Sequence, residues 1–223
     1  LDIRTGNEQP LRVLGHLLEI LDKLELSDTV RERSAQAFTR LAEAEAAVHG
    51  IELEKVHFHE VGAVDTMLDV VGAFWALEQL GVHTVASSHL PWFTGTVTCE
   101  HGELPLPAPA TLELLKGKPT YPTGFTSEMI TPTGALLLDQ IVNCYENGPT
   151  GILRDSCLTY GTHDSGGGLR VMLMENAGEQ TGKVAVLESN IDHLTGEELG
   201  AFFDAIMLAG ALEDSLNGFH ILN

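Results

Sequence analysis

The sequence predicts an α/β protein, with an α+β arrangement as the open alternative. Three patterns carry this. Leucines recur at helical spacing near the start, short apolar runs alternate with helical stretches through the middle, and glycine-punctuated strand-like runs follow residue 149. The expected layout is an N-terminal helical hairpin, a mixed α/β middle and a small C-terminal β-β-α unit. Residues 1–148 form the expected α/β domain, and 149–223 the start of a second α+β domain.

Leu11, Leu14, Leu18 and Leu21 predict a helix over 9–25. A second helix is predicted over 28–48, with Asp28 as its cap, Gly50 just past its end and the strong helix formers of "RLAEAEAAV" inside. The segment "VHFHE" alternates and reads as a strand or extended loop. Residues 64–80 read as a helix closed by Gly81, with Val70, Val71, Phe74 and Trp75 as core. "TVASSHL" reads as a strand. "WFTGTVTCEHGELPLPAPA" reads as a hairpin with turns at Gly95 and Gly102, then an extended approach to a short helix that stops at Gly117. "PTYPTGF" is extended. "TPTGALLLDQIVNCY" reads as a helix capped by Thr131 with Pro132 in its first position. Beyond it, "GILRDSCLTYG", "GLRVMLME" and "KVAVLES" read as strands, "THDSGGG" as a loop, and 195–212 as a helix capped by Thr195 with Glu198 three residues on.

Charge narrows the functional classes. Asp plus Glu outnumber Lys plus Arg by 32 to 12, a formal net charge of −20. Nucleic acid and anionic membrane surfaces are therefore unsuitable partners, whereas cations are suitable ones. Hydrophobic residues at 43% suit a packed globular core. Cys99, Cys144 and Cys157 are widely spaced, which fits neither a disulfide framework nor a paired-cysteine zinc site. A reducing, cytoplasmic setting is expected. No apolar run approaches the roughly 18 residues of a membrane span. No glycine-rich phosphate loop of a known pattern and no nucleophile elbow is present.

The chemistry-bearing stretch is "KVHFHEVGAVDTMLDVVGA". His57 and His59 are two apart, so on an extended segment they face one side. Asp65 and Asp69 are four apart, one turn along one face of the next helix. Glu60 joins them if the backbone turns at the helix start. Two imidazoles and two or three carboxylates suit a borderline divalent ion such as nickel, cobalt or zinc, or acid–base work by His57 or Glu60. Hydrogen-bonded histidines, a capping Asp65 and a solvated Asp69 are the plain structural alternative. Cys99 and His101 form a second pair, a thiolate and an imidazole suited to nickel or zinc, with a buried thiol beside a turn histidine as its alternative. His89, and the turn carrying Asp192, Glu197 and Glu198, are weaker candidates.

"HFHEVGAVDTMLDVVGA", "LPLPAPATLELLKG", "EMITPTGALLL" and "NIDHLTGEELG" together resemble the nickel-insertion proteins of the lactate racemase cofactor pathway, the LarC family. The resemblance runs in order from about residue 50 to 212. It implies insertion of Ni(II) into pyridinium bisthiocarboxylic acid mononucleotide, giving the nickel-pincer nucleotide, with dependence on CTP and Mg or Mn. It makes His57, His59, Glu60, Asp65 and Asp69 the leading metal site, with Glu60 and His57 as catalytic candidates. The family's opening Asp-Cys segment and its CTP-binding region are expected to lie outside this chain, and His193 stands where the family carries Asp. Expected partners are the mononucleotide, a separate C-terminal part or lactate racemase, with homo-oligomerisation left open. A nickel-holding module or an assembly scaffold of the same pathway is the alternative function.

Overall fold

The computed structural model describes residues 13–58, 64–99, 102–148, 150–161 and 168–175. The chain divides into two compact units, Leu1–Ala177 and Gly178–Asn223, and every described residue lies in the first. The expected strand "KVAVLES" and the helix at 195–212 lie outside the described residues.

Helix α1 (Leu14–Asp22) and helix α2 (Asp28–His49) form the expected antiparallel pair. The cap of α2 is Ser27, not Asp28: the Ser27 hydroxyl accepts from the Val30 amide at 3.2 Å, and Asp28 is the first helical residue. An acid in that first turn complements the helix dipole, so Asp28 still favours the start. Arg31 locks the hairpin by donating to the carbonyls of Leu21 and, at 2.8 Å, Leu24. Gly50 ends α2 in the left-handed region at φ 64°, which costs glycine little.

Helix α2 is the centre of the core. It packs against α1, against α3 (Val64–Gln79), and against α4 (Pro109–Leu115) and α5 (Pro132–Ile141). Its inward side is Val30, Ser34, Ala37, Phe38, Leu41 and Ala42, all buried at helical spacing. Small residues on this face let the neighbouring helices come close, while Phe38 and Leu41 fill the space between them. Val56, Phe58, Phe74, Leu114 and Leu136 complete the core.

The strands are short and paired two by two. Strand β1 (Ala86–Ser87) runs parallel to β6 (Cys144–Tyr145), and β2 (Leu90–Trp92) runs parallel to β5 (Thr120–Pro122). Strands β3 (Thr96–Cys99) and β4 (Gly102–Pro105) form the expected hairpin. The "TVASSHL" strand is thus split between β1 and the start of β2. The helix expected to reach Tyr145 stops at Ile141, and Cys144–Tyr145 turn extended to pair with β1. The Val85 amide donates to the Asn143 side chain at 2.8 Å, and the Asn143 amide donates to the Val85 carbonyl at 2.8 Å, so tertiary pairing ends α5 early.

Asp139 on α5 ties three elements together. It accepts from Lys118, just past α4, from Arg40 Nε of α2 at 3.2 Å, and from the Gln140 amide at 3.0 Å. Burial alone would raise its carboxyl, but the hydrogen bonds from Lys118 and Gln140 and the charges of Lys118 and Arg40 hold it below the ordinary range.

Strands β7 (Ile152–Tyr160) and β8 (Gly168–Glu175) pair antiparallel, with an irregularity between Leu153 and Asp155. Unlike the helical body, this hairpin is exposed along nearly its whole length, and its exposed side chains include Leu153, Tyr160, Leu169 and Val171.

Candidate metal centre

Helix α3 organises the candidate site. Its sequence places three kinds of residue on three sides, because successive residues advance about 100° around the axis. Thr66, Met67, Val70 and Phe74 face the core. The Arg33 guanidinium of α2 sits 4.6 Å from the centre of the Phe74 ring, and the Ser27 hydroxyl donates to Glu78 at 2.6 Å, so the start of α2 is pinned to the end of α3. Asp65 and Asp69 occupy a second, outward side one turn apart. Leu68, Gly72 and Trp75 occupy a third. Trp75 was expected in the core, yet it is 53% exposed, while Val70 and Phe74 are buried as expected and Val71 is half-buried. The helix turns Trp75 a little more than a quarter turn past Phe74, onto the apolar outer side.

The acid pair interacts. Asp69 faces outward as a residue, but partial desolvation of its carboxyl and, second, the like charge of Asp65 push its pKa above the ordinary 3.8. Asp65 lies in the first turn, and its Oδ1 accepts from the Thr66 amide at 2.8 Å. Two carboxylates that repel when empty gain when a cation arrives between them. That is the electrostatic signature of a cation-holding pair, and equally of two crowded surface acids.

His57 lies on the extended stretch before α3. Val56 and Phe58 on either side of it are buried and His57 is exposed, the alternation expected of a strand-like segment. The anchoring of Val56 and Phe58 in the core leaves the intervening imidazole facing outward. His59 and Glu60 lie outside the described residues, as does His101. Of the second pair, Cys99 ends β3, its backbone in register with Gly102. His89 is half-buried just before β2. Asp192, Glu197 and Glu198 fall outside the described residues. Among the described residues there is no group of three or more His, Cys, Asp or Glu side chains arranged to hold a metal ion. The described part therefore contributes the Asp65–Asp69 pair and an outward His57.

One contact escaped the sequence reading. The exposed Cys144 thiol donates to Glu146 at 3.3 Å, and that hydrogen bond, with burial and the Glu146 charge, raises its pKa. A thiol so held stays protonated, which makes it a poor metal ligand or nucleophile. Its only sequence signal was two residues of separation on a short strand.

Comparison with known proteins decides the family. The nickel insertion protein family matches residues 1–218. The chain belongs to the nickel insertion protein family. A curated relative from Geotalea daltonii is 39% identical over 216 residues, 95% of this chain and 55% of its own length. A relative from Geobacter sp. strain M21 is 41% identical over 216 residues, 94% of this chain and 55% of its own. In Staphylococcus epidermidis, a protein named pyridinium-3,5-bisthiocarboxylic acid mononucleotide nickel insertion protein is 37% identical over 215 residues, 96% of this chain and 54% of its own. The chain thus spans about half the length of these nickel insertion relatives. No solved structure matches it significantly. Among the described residues no helix is long and apolar enough to cross a membrane.

Proposed function

We propose that this chain takes part in inserting Ni(II) into pyridinium bisthiocarboxylic acid mononucleotide, yielding the nickel-pincer nucleotide. The observation that carries the reading is the family match over nearly the whole chain, together with the relative named for that reaction. His57, His59, Glu60, Asp65 and Asp69 are the proposed resting ligands of the nickel ion, with Cys99 and His101 as the second choice. Imidazole and carboxylate donors hold nickel less tightly than sulfur does, so passing the ion to the thiocarboxylates runs downhill. Forming the carbon–nickel bond releases a proton from the pyridinium carbon, and Glu60 or His57 is the proposed acceptor. Support for the acid half of this ligand set is the one-turn spacing of Asp65 and Asp69 on the outer side of α3, where desolvation first and the Asp65 charge second raise the Asp69 carboxyl.

CTP with Mg or Mn fits the described residues poorly. Among the described residues, Arg40 and Lys118 are committed to Asp139, Lys116 to Glu113, Arg154 to Glu175, Lys55 to Glu52, Arg31 to the Leu21 and Leu24 carbonyls and Arg33 to the Phe74 ring, leaving Lys23 and Arg170 to meet a triphosphate.

The same proposal places the protein in the cytoplasm and leaves homo-oligomers and lactate racemase as partners to be tested. It also assigns the β7–β8 hairpin to the start of a second domain from residue 149. What supports that assignment is the exposure of both strands, since a lone two-stranded hairpin is marginal in water.

The test is a nickel titration of the full chain and of His57→Ala/His59→Ala, read by calorimetry and by circular dichroism. Loss of nickel binding with the helical signal kept is expected. Unchanged binding in the double variant moves the ion to Cys99 and His101. Adding the mononucleotide, CTP and a separately produced C-terminal part then asks for the nickel-pincer product. Tight nickel binding with no product reassigns the chain to a holding module.

A further inference from the structure

We propose that the groove between α1 and α3 receives an amphipathic helix of a protein partner whose apolar face is flanked by lysine or arginine. The groove is half open to solvent, has a volume of about 440 Å³ and is lined by Ile20, Leu24, Met67, Leu68, Val71 and Trp75 together with Gly72. Leu68 is 42% exposed and Trp75 53% exposed, a large apolar outlay for one side of one helix.

Gly72 is the second observation. It stands in the middle of α3, where glycine weakens a helix. Nothing among the described residues calls for it: its backbone is not in the left-handed region, and a Cβ built there meets no described atom within 4 Å. A missing side chain over an apolar groove serves a close approach from outside the chain.

Charge selects the occupant. Asp65 and Asp69 stand three residues before Leu68 and Gly72, so they form the shoulder of the groove. Glu25 is exposed between Leu24 and Leu26 on the other rim. Acidic rims around an apolar floor complement a helix with basic flanks. They oppose a second copy of this chain, because pairing two copies through this groove would bring acidic rims together, on chains of formal charge −20. An anionic lipid surface is opposed on the same ground.

The probe is a fluorescein-labelled helical peptide of leucine and lysine in amphipathic order, with its leucine/glutamate counterpart as control, titrated by anisotropy against the full chain. Saturable micromolar binding of the lysine peptide is expected. Gly72→Leu fills the groove, keeps or raises the melting temperature, and weakens binding at least about tenfold. Because Gly72→Leu leaves every charge in place, equal binding to that variant overturns the proposal as mere attraction between opposite charges. Equal binding of the glutamate peptide, or no saturation, overturns it too. A wild-type dimer in sedimentation that Gly72→Leu abolishes gives the groove to a second copy and also refutes it.

Discussion

Replacing Asp139 by Asn tests how the four-element core is held together. The carboxylate is the common acceptor for Lys118 and Arg40, whose side chains keep 12% and 28% of their surface exposed, and Asp139 itself keeps 16%. In Asp139→Asn the Lys118 ammonium keeps the Leu114 carbonyl at 2.7 Å but loses its counter-charge. A hydrogen bond between charged groups contributes about 1.5–3 kcal/mol. Breaking a fully buried pair costs about 3–5 kcal/mol. Arg40 has Glu43 within 4.0 Å as a second partner, and the site is not fully enclosed, so the lower range applies. We expect a loss of about 2 kcal/mol, or roughly 4–8 °C in melting temperature for a chain of this size. The pH dependence is the sharper test. The folded carboxyl lies below its ordinary 3.8, so its stabilisation is complete above that value and fades as the pH falls through the lower, folded-state value. Thermal melts of wild type and variant should differ fully at pH 7 and converge in strong acid. Equal melting at pH 7, or a gap that persists undiminished in strong acid, would refute the network's role.

Four further outcomes are expected. Phe74→Ala should cost about 3–5 kcal/mol in urea unfolding, since it empties a core position 2% exposed and removes the ring under Arg33; a loss under 1 kcal/mol would contradict that packing. Gly95→Ala should destabilise by more than about 1 kcal/mol, because φ is +112° and the new Cβ would stand 2.3 Å from the Thr126 carbonyl oxygen; an unchanged melting temperature would disprove that close approach. Asp65→Asn should lower the Asp69 pKa toward its ordinary value, by removing the neighbouring charge, as followed by carbon-detected NMR titration. A raised carboxyl is disfavoured in its ionised form, so Asp69→Asn should slightly raise stability at neutral pH, with the gain vanishing in acid; a variant less stable at pH 7 would mean the acid has a favourable partner.

Legibility followed the range of the interactions involved. The α1–α2 pair was readable because leucine spacing and alanine-rich propensity agree with the tertiary result. Thr131 and Pro132 announced the start of α5 correctly, the hydroxyl accepting from the Gly134 amide at 3.1 Å. The end of α5 was not readable, because Asn143 and Cys144 are drawn out of the helix by Val85 and Ala86, more than fifty residues away in sequence. Parallel pairing of two- and three-residue strands leaves almost no local trace, whereas the β3–β4 hairpin announces itself through its turn glycine. At the candidate site the one-turn spacing of Asp65 and Asp69 was legible, and so was the alternation that turns His57 outward between Val56 and Phe58. The convergence of all five proposed ligands depends on His59 and Glu60, outside the described residues.

Trp75 shows why the outer side of α3 was misread. Periodicity says that two residues share a side of a helix, but it does not say how many sides are covered. Phe74 and Trp75 are both large and aromatic, and composition alone assigns both to the interior. Helices α2 and α5 pack on α3, and Ile20 of α1 with the Leu24–Leu26 turn stands across a groove from its next side. The remaining side is left to Asp65 and Asp69. A helix with apolar residues on two adjoining sides and acids on the third has more apolar surface than the described residues cover. Nickel and the basic flanks of a docked helix would share Asp65 and Asp69, but only nickel calls on His57 and only the helix calls on Gly72 and Leu68. The two sides are therefore separable by mutation: Gly72→Leu should spare nickel binding, while His57→Ala/His59→Ala should spare peptide binding. If either variant abolished both, α3 would be acting as one surface with one function.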